Sequence, residues 1–149
     1  MLNESIVFLI LTIFSIQDIK TKRIQTLPLL ISLIPGILLQ IIGQNHTFCE
    51  VMGGIALGVM LLVIGRCTKE AVGYGDGLVF VVTGVYLGIW ENFRLLLSAL
   101  IIVSIFSAVQ IIIRKKNAKD EIAFIPFVWI AQAIQIGGLC LATIFEQNI

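Results

Sequence analysis

Six apolar segments recur along this chain, at residues 5–19, 27–43, 51–65, 76–90, 92–113 and 122–145, with short charged stretches between most of them. Lipid offers the backbone no hydrogen-bonding partner, so a segment that crosses it must satisfy its own N–H and C=O groups, which a helix does. The pattern therefore predicts an all-α polytopic membrane protein, a bundle of six transmembrane helices. Composition agrees: 58% of residues are hydrophobic and 13% charged, where soluble domains carry about 25% charged residues. A spanning helix needs about 20 residues. Several segments fall short, so either the helices extend into their charged flanks or the bundle sits in thinned bilayer. Segments 76–90 and 92–113 almost touch, which makes "GIWENF" a tight turn with Trp90 at a membrane interface. The opening "MLNESIVFLILTIF" has no Lys or Arg before its apolar run and no small-residue cleavage pattern after it. It reads as a retained first helix, not a signal peptide.

Basic residues set the orientation. Lys20, Lys22 and Arg23 lie between the first and second helices, Arg66 and Lys69 between the third and fourth, and Arg114, Lys115, Lys116 and Lys119 between the fifth and sixth. Only Arg94, of the ten, falls in an alternate loop. By the positive-inside rule those three loops are cytoplasmic and both termini face outward. The reading is one membrane-embedded unit over residues 1–149, in a prokaryotic plasma membrane. A net charge of +1 suggests no nucleic-acid or acidic partner. Cys49, Cys67 and Cys140 form no CxxC pair, so they read as free thiols. Gly54-x-x-x-Gly58 and Gly84-x-x-x-Gly88 put small residues one turn apart, as close helix packing in membranes requires.

Most of the nine acids sit at outer ends or among loop cations, where solvated or loosely paired charges are ordinary. Asp18 and Asp76 differ. Asp18 ends one apolar run and Asp76 begins another, each about one turn inside the cytoplasmic boundary if the helices fill the bilayer. Each acid alone has a plain explanation. Asp18 can pair with Lys22 at i,i+4, and Asp76 can cap the fourth helix. Together, two ionisable groups from different helices at one depth point to a functional site. Two carboxylates in a low-dielectric site share one proton, so one acid can take a proton from water while the other donates to a carbonyl oxygen. The glycines of "GYGDGLVF" (residues 73–80) then let a substrate backbone approach Asp76. His46, the single histidine, lies in an outer loop, which excludes a Ser-His-Asp triad or an HExxH zinc site. No metal or cofactor is expected.

"GYGD" at 73–76 matches the GxGD motif of intramembrane aspartic proteases. With "QDIKTKRI" at 17–24 and "IPF" at 125–127, the chain resembles the prepilin (type IV leader) peptidases along essentially its whole length. The resemblance implies a membrane aspartic endopeptidase that removes the leader of prepilin-like proteins at the cytoplasmic face. Cleavage would follow a glycine that precedes the substrate's hydrophobic N-terminal helix. Asp18 and Asp76 would be the catalytic acids, with Gly73, Tyr74, Gly75, Gly77, Lys22 and Pro126 on the substrate side. The implied partners are a pilin-like substrate and the lipid bilayer, with a homo-oligomer left open. The chain departs from the family pattern in having Ile24-Gln25 where many members have Ile-Pro, and Gly77-Leu78 where many have Val-Lys. No CPxC-like segment precedes the first helix, so the resemblance is to the short form without a methyltransferase region. A Pro-Ala-Leu motif, the mark of the presenilin branch, is absent.

Two rivals remain at this level: a small proton- or cation-coupled transporter, and a non-catalytic assembly subunit of a pilus or secretion system. Transport sites tend toward the midplane, and these acids sit at its edge. The orientation is directly testable in a background lacking Cys49, Cys67 and Cys140. Asn117→Cys is expected to resist impermeant thiol reagents in intact cells, and Asn45→Cys to be labelled. The reverse pattern would put both acids on the outer face.

Overall fold

The computed structural model describes residues 2–21, 26–43, 46–68, 73–114 and 123–147. The apolar segments are all helical: α1 (Leu2–Thr21), α2 (Thr26–Ile31) and α3 (Leu33–Gly43), α4 (Phe48–Cys67), α5 (Tyr74–Arg114) and α6 (Ile125–Gln147). No strand occurs among the described residues. Thr26–Gly43, Phe48–Cys67 and Tyr74–Ile113 are long and apolar enough to cross a membrane, and Ile125–Leu141 is a shorter apolar helix.

The second expected helix is in two pieces. Pro35 has no N–H for the carbonyl of Ile31 and its ring crowds that carbonyl, which breaks the helix at Ser32. The neighbouring Ser32 carbonyl accepts a hydrogen bond from the Tyr86 hydroxyl at 2.5 Å.

α5 is two arms meeting at Gly88, whose φ of 71° and ψ of −175° lie outside helical space. Side-chain bonds demonstrate the reversal. Asn92 Nδ2 donates to the Phe80 carbonyl at 3.0 Å, and Thr83 Oγ1 to Asn92 Oδ1 at 2.7 Å. Residues twelve apart in a straight helix would be about 18 Å distant, so the arms 74–87 and 89–114 fold back on each other. The turn falls on the first residue of "GIWENF". Gly88 thus serves the turn, where its positive φ suits glycine, and not the helix-packing stripe its spacing suggested.

Breaking a helix strands its last carbonyls, and inside an apolar bundle these need partners. Asn3 Nδ2 on α1 donates to the Tyr86 carbonyl at 3.0 Å, and Gln40 Nε2 on α3 to the Val85 carbonyl at 2.9 Å. Two neighbouring helices are thereby tied to the end of the first arm. Asn92 adds a bond to the Gly54 carbonyl at 3.2 Å, joining α4 to the turn.

α4 packs antiparallel on the first arm at backbone distance. Gly54 faces Gly84, Gly58 faces Phe80 and Val81, and Leu62 faces Gly77. A Cβ on Gly54 would come within 2.9 Å of Gly84 Cα, and one on Gly58 within 2.6 Å of the Phe80 carbonyl carbon. No side chain fits, so the small-residue spacing is a packing device at these three glycines.

α1 carries a buried stripe of Asn3, Val7, Leu11, Phe14, Ser15 and Asp18, the i, i+4, i+7 spacing of one helix face. Val79, Phe80, Val82 and Tyr86 on α5 and Ile125, Val128 and Ala131 on α6 complete the core. The opposite face of α1, Leu9, Ile13, Ile16 and Ile19, is open, an arrangement that suits lipid and not water. Trp129 Nε1 donates to Thr12 Oγ1 at 2.8 Å and its ring stacks on Phe8, joining α6 to α1.

Gly84→Ala is expected to cost about 1–3 kcal/mol through overpacking, since the new methyl meets the Gly54 carbonyl and backbone that cannot rotate away. Thermal unfolding in detergent micelles measures it. An unchanged midpoint would mean that α4 and α5 are not in backbone contact.

Candidate active site

Asp18 lies in the last turn of α1, Asp76 in the first turn of α5, and Ile125 opens α6. Three helix ends therefore meet at one end of the bundle. Asp18 reaches this place because it continues the buried stripe of α1, and it is only 6% exposed. Its Oδ2 accepts the N–H of Ile125 at 3.1 Å. That N–H is one of the donors that a helix N-terminus leaves unpaired, and the positive end of the helix dipole points at the same carboxylate. Pro126 follows at a position where a missing N–H costs nothing. The "IPF" segment thus delivers one backbone donor to Asp18, a contact that the sequence reading did not foresee.

Asp76 is held in a related way. Its backbone N–H bonds to the Gly73 carbonyl at 3.0 Å, and its carboxylate accepts the N–H of Gly73. This is the N3 half of a capping box, with Gly73 at the N-cap, so Asp76 does take part in capping its helix. That role is not sufficient, because the two carboxylates also lie close enough for Asp76 to sense the charge of Asp18. Asp18 is anchored by backbone N–H groups at the start of α6, and Asp76 by that of Gly73 at the start of α5. The geometry is a pair of oriented carboxylates, which suits proton exchange with a bound water or amide.

The other expected site residues divide by position. Gly73 and Tyr74 are exposed beside Asp76, with Tyr74 at 62%, and Gly75 is half-buried. A Cβ on Gly73 would stand 2.8 Å from Asp76 Oδ2, so glycine there leaves the carboxylate its place. Gly77 is buried, with Leu62 of α4 in the space its side chain would fill. Its role is in the α4–α5 contact. Pro126 is half-buried in the first turn of α6. Lys22 and Gln25 lie outside the described residues, and with Lys22 the expected i,i+4 pair to Asp18. His46 sits at the far end of the bundle, 3.8 Å from Glu50 and beside Gly88.

The model of the type IV leader peptidase family matches residues 5–113. The match runs from the first turn of α1 into the last turn of α5 and contains both acids, while Ile125 and Pro126 lie beyond it. No curated protein and no solved structure matches the chain.

The Asp18–Ile125 bond makes a stability prediction that is separate from activity. Asp18→Leu leaves a buried N–H without an acceptor and should cost about 1–3 kcal/mol. Asp18→Asn keeps a carbonyl oxygen in place and should cost less than half as much. Equal destabilisation in micelle unfolding would show that the bond to α6 carries no weight.

Proposed function

Since the chain belongs to the type IV leader peptidase family, we propose that it is an aspartic endopeptidase that cleaves pilin-like precursors with Asp18 and Asp76 as its two catalytic acids. It is a multi-pass membrane protease by family and by its apolar helices. In the proposed topology the two arms of α5 each cross the bilayer, as do α1, α2 with α3, α4 and α6, making six spans in one peptidase domain. Both termini face outward, and the acids face the cytoplasm.

The observation that carries the reading is the convergence of the two carboxylates at one end of the bundle, each oriented by a helix-terminal N–H. The pair shares one proton. The ionised partner takes a proton from a water placed between the acids, and that water attacks the scissile carbonyl carbon. The protonated partner gives its proton to the carbonyl oxygen as the tetrahedral intermediate forms. Collapse of that intermediate breaks the C–N bond, and the proton taken from water passes to the leaving amine.

Substrate shape follows from position. The acids sit at the membrane edge, so the scissile bond lies just before a hydrophobic helix that stays in the bilayer. Exposed Gly73 and Tyr74, with Gly75, form the rim on which the extended leader lies. A glycine before the cut matches a rim with so little room beside Asp76. Edge placement also disfavours the transporter reading, which would want charge near the midplane.

The test is cleavage of a peptide carrying a basic leader, a glycine and an apolar helix, with the purified chain in bilayers. Asp18→Asn and Asp76→Asn should each lower turnover by roughly a hundred- to ten-thousand-fold, with both proteins still inserted and folded. Near wild-type turnover in either variant would dismiss the two-aspartate mechanism. Proton flux without cleavage would favour the transporter.

A further inference from the structure

The first turn of α6 leaves two backbone donors over. The N–H groups of Phe127 and Val128 both return to the Phe124 carbonyl, at 3.0 and 3.3 Å, and Pro126 has no N–H. That leaves Phe124, just before the helix, and Ile125, its first residue. Both serve the Asp18 carboxylate: the Ile125 N–H donates to Oδ2 at 3.1 Å, and the Phe124 N–H is a second donor. Asp18 therefore takes every free donor of this turn and caps α6 from another helix. Phe124 and Ile125 also fall outside residues 5–113, the extent of the family match.

Asp76 is served differently. It accepts one such donor, the N–H of Gly73. It stands beside the exposed residues Gly73 and Tyr74, whereas Asp18 is 6% exposed. Burial by itself favours the neutral form of a carboxyl group, and hydrogen bonds donated to the carboxylate favour the charged one. An N–H can only donate, so an oxygen that receives it is poorly placed to carry a proton. Two donors and the positive end of α6 act together on Asp18. No other described side chain at this end competes with them. Lys20 on α1, Arg66 and Cys67 on α4 and Tyr74 on α5 are exposed. α2 carries no titratable side chain, and α6 none before Cys140. Asp76 is left as the group in electrostatic contact with Asp18.

We propose that the start of α6 sorts the pair: its Phe124 and Ile125 N–H groups hold Asp18 ionised as the base toward water, which leaves Asp76 as the acid toward the scissile carbonyl. The assignment rests on the two-aspartate reading above and deepens it. Asp18 takes a proton from water as the water oxygen bonds to the carbonyl carbon, and the Asp76 proton passes to the carbonyl oxygen. When the C–N bond breaks, the Asp18 proton goes to the leaving amine and Asp76 recovers a proton from the intermediate's hydroxyl. Both acids return to their starting state. Phe124 and Ile125 touch no reacting atom; they are positioning groups that act through Asp18.

The experiment uses the full chain in nanodiscs. Ile125→Pro removes the donor at a helix position that tolerates proline, and Ile125→Ala shortens the same buried side chain but keeps the N–H. The singly ionised pair is bounded by two limbs of the pH profile. Loss of a donor makes the base easier to protonate. In Ile125→Pro the acid limb of kcat/KM should therefore move up by about one pH unit, the worth of one charge-assisted hydrogen bond. It should stay in place in Ile125→Ala. Movement of the basic limb alone would make Asp18 the acid and overturn the proposal. So would limbs that move equally in both variants or in neither. A second measurement needs no cleavage and no change at Ile125. With carbon-13 at the aspartate carboxyls, the wild-type chain gives signals from Asp18, Asp76 and Asp120, assigned with Asp18→Asn, Asp76→Asn and Asp120→Asn. Asp18 should reach its carboxylate position at lower pH than Asp76. The reverse order would overturn the assignment even in an active protease. The expected order without any cleavage would count against the two-aspartate reading and not against the sorting of the pair by α6.

Discussion

The backbone contact between α4 and the first arm of α5 governs where everything else can sit. Gly54, Gly58 and Gly84 remove the side chains that would hold the helices apart, and Leu62 on Gly77 carries the contact down to the turn that bears Asp76. A helix gripped this closely along its length has little freedom to slide or rotate. The depth and direction of Asp76 are thereby inherited from a contact that begins at the other end of the bundle. In lipid such packing matters more than apolar burial, because tails solvate an isolated apolar helix as well as a neighbouring helix does.

A second consequence follows from the reversal at Gly88. Ending a helix inside an apolar bundle frees carbonyls that water cannot reach. The chain meets this with amides placed on other helices: Asn3 takes Tyr86 and Gln40 takes Val85. Each repair is also a tie between helices. α1, which carries Asp18 at its other end, is held to α5 through Asn3, so the bond at one end of α1 helps set the carboxylate at the other. The N-terminus of α6 completes the placement by giving its first N–H to Asp18.

Much of this was legible in the residues. Apolar runs separated by charge marked the helical segments. Near-contiguity of 76–90 and 92–113 marked the turn at "GIWENF", and the small-residue spacing marked the α4–α5 face. Asp18 and Asp76 stood out because a carboxylate beside a long apolar run is costly unless it is used. Asn3, Gln40 and Asn92 were passed over, although an amide within or beside an apolar run carries the same kind of signal: its donors must find a partner. The break at Ser32 was also readable from Pro35, whose position relative to Ile31 is a local fact.

By itself, then, the sequence determined the class of solvent, the helical segments and the two acids worth pairing. These depend on composition and on local spacing, which any folded form of the chain must obey. Tertiary structure alone decided that Gly77 packs on Leu62, that Ile125 supplies a donor to Asp18, and that the two acids come within electrostatic reach of each other. Each joins residues far apart in the chain, Asp18 to Ile125 across 107 positions. No local preference encodes such a pairing. It exists only once helix faces have been matched through packing, where a half-turn of rotation would carry a carboxylate from its partner into lipid.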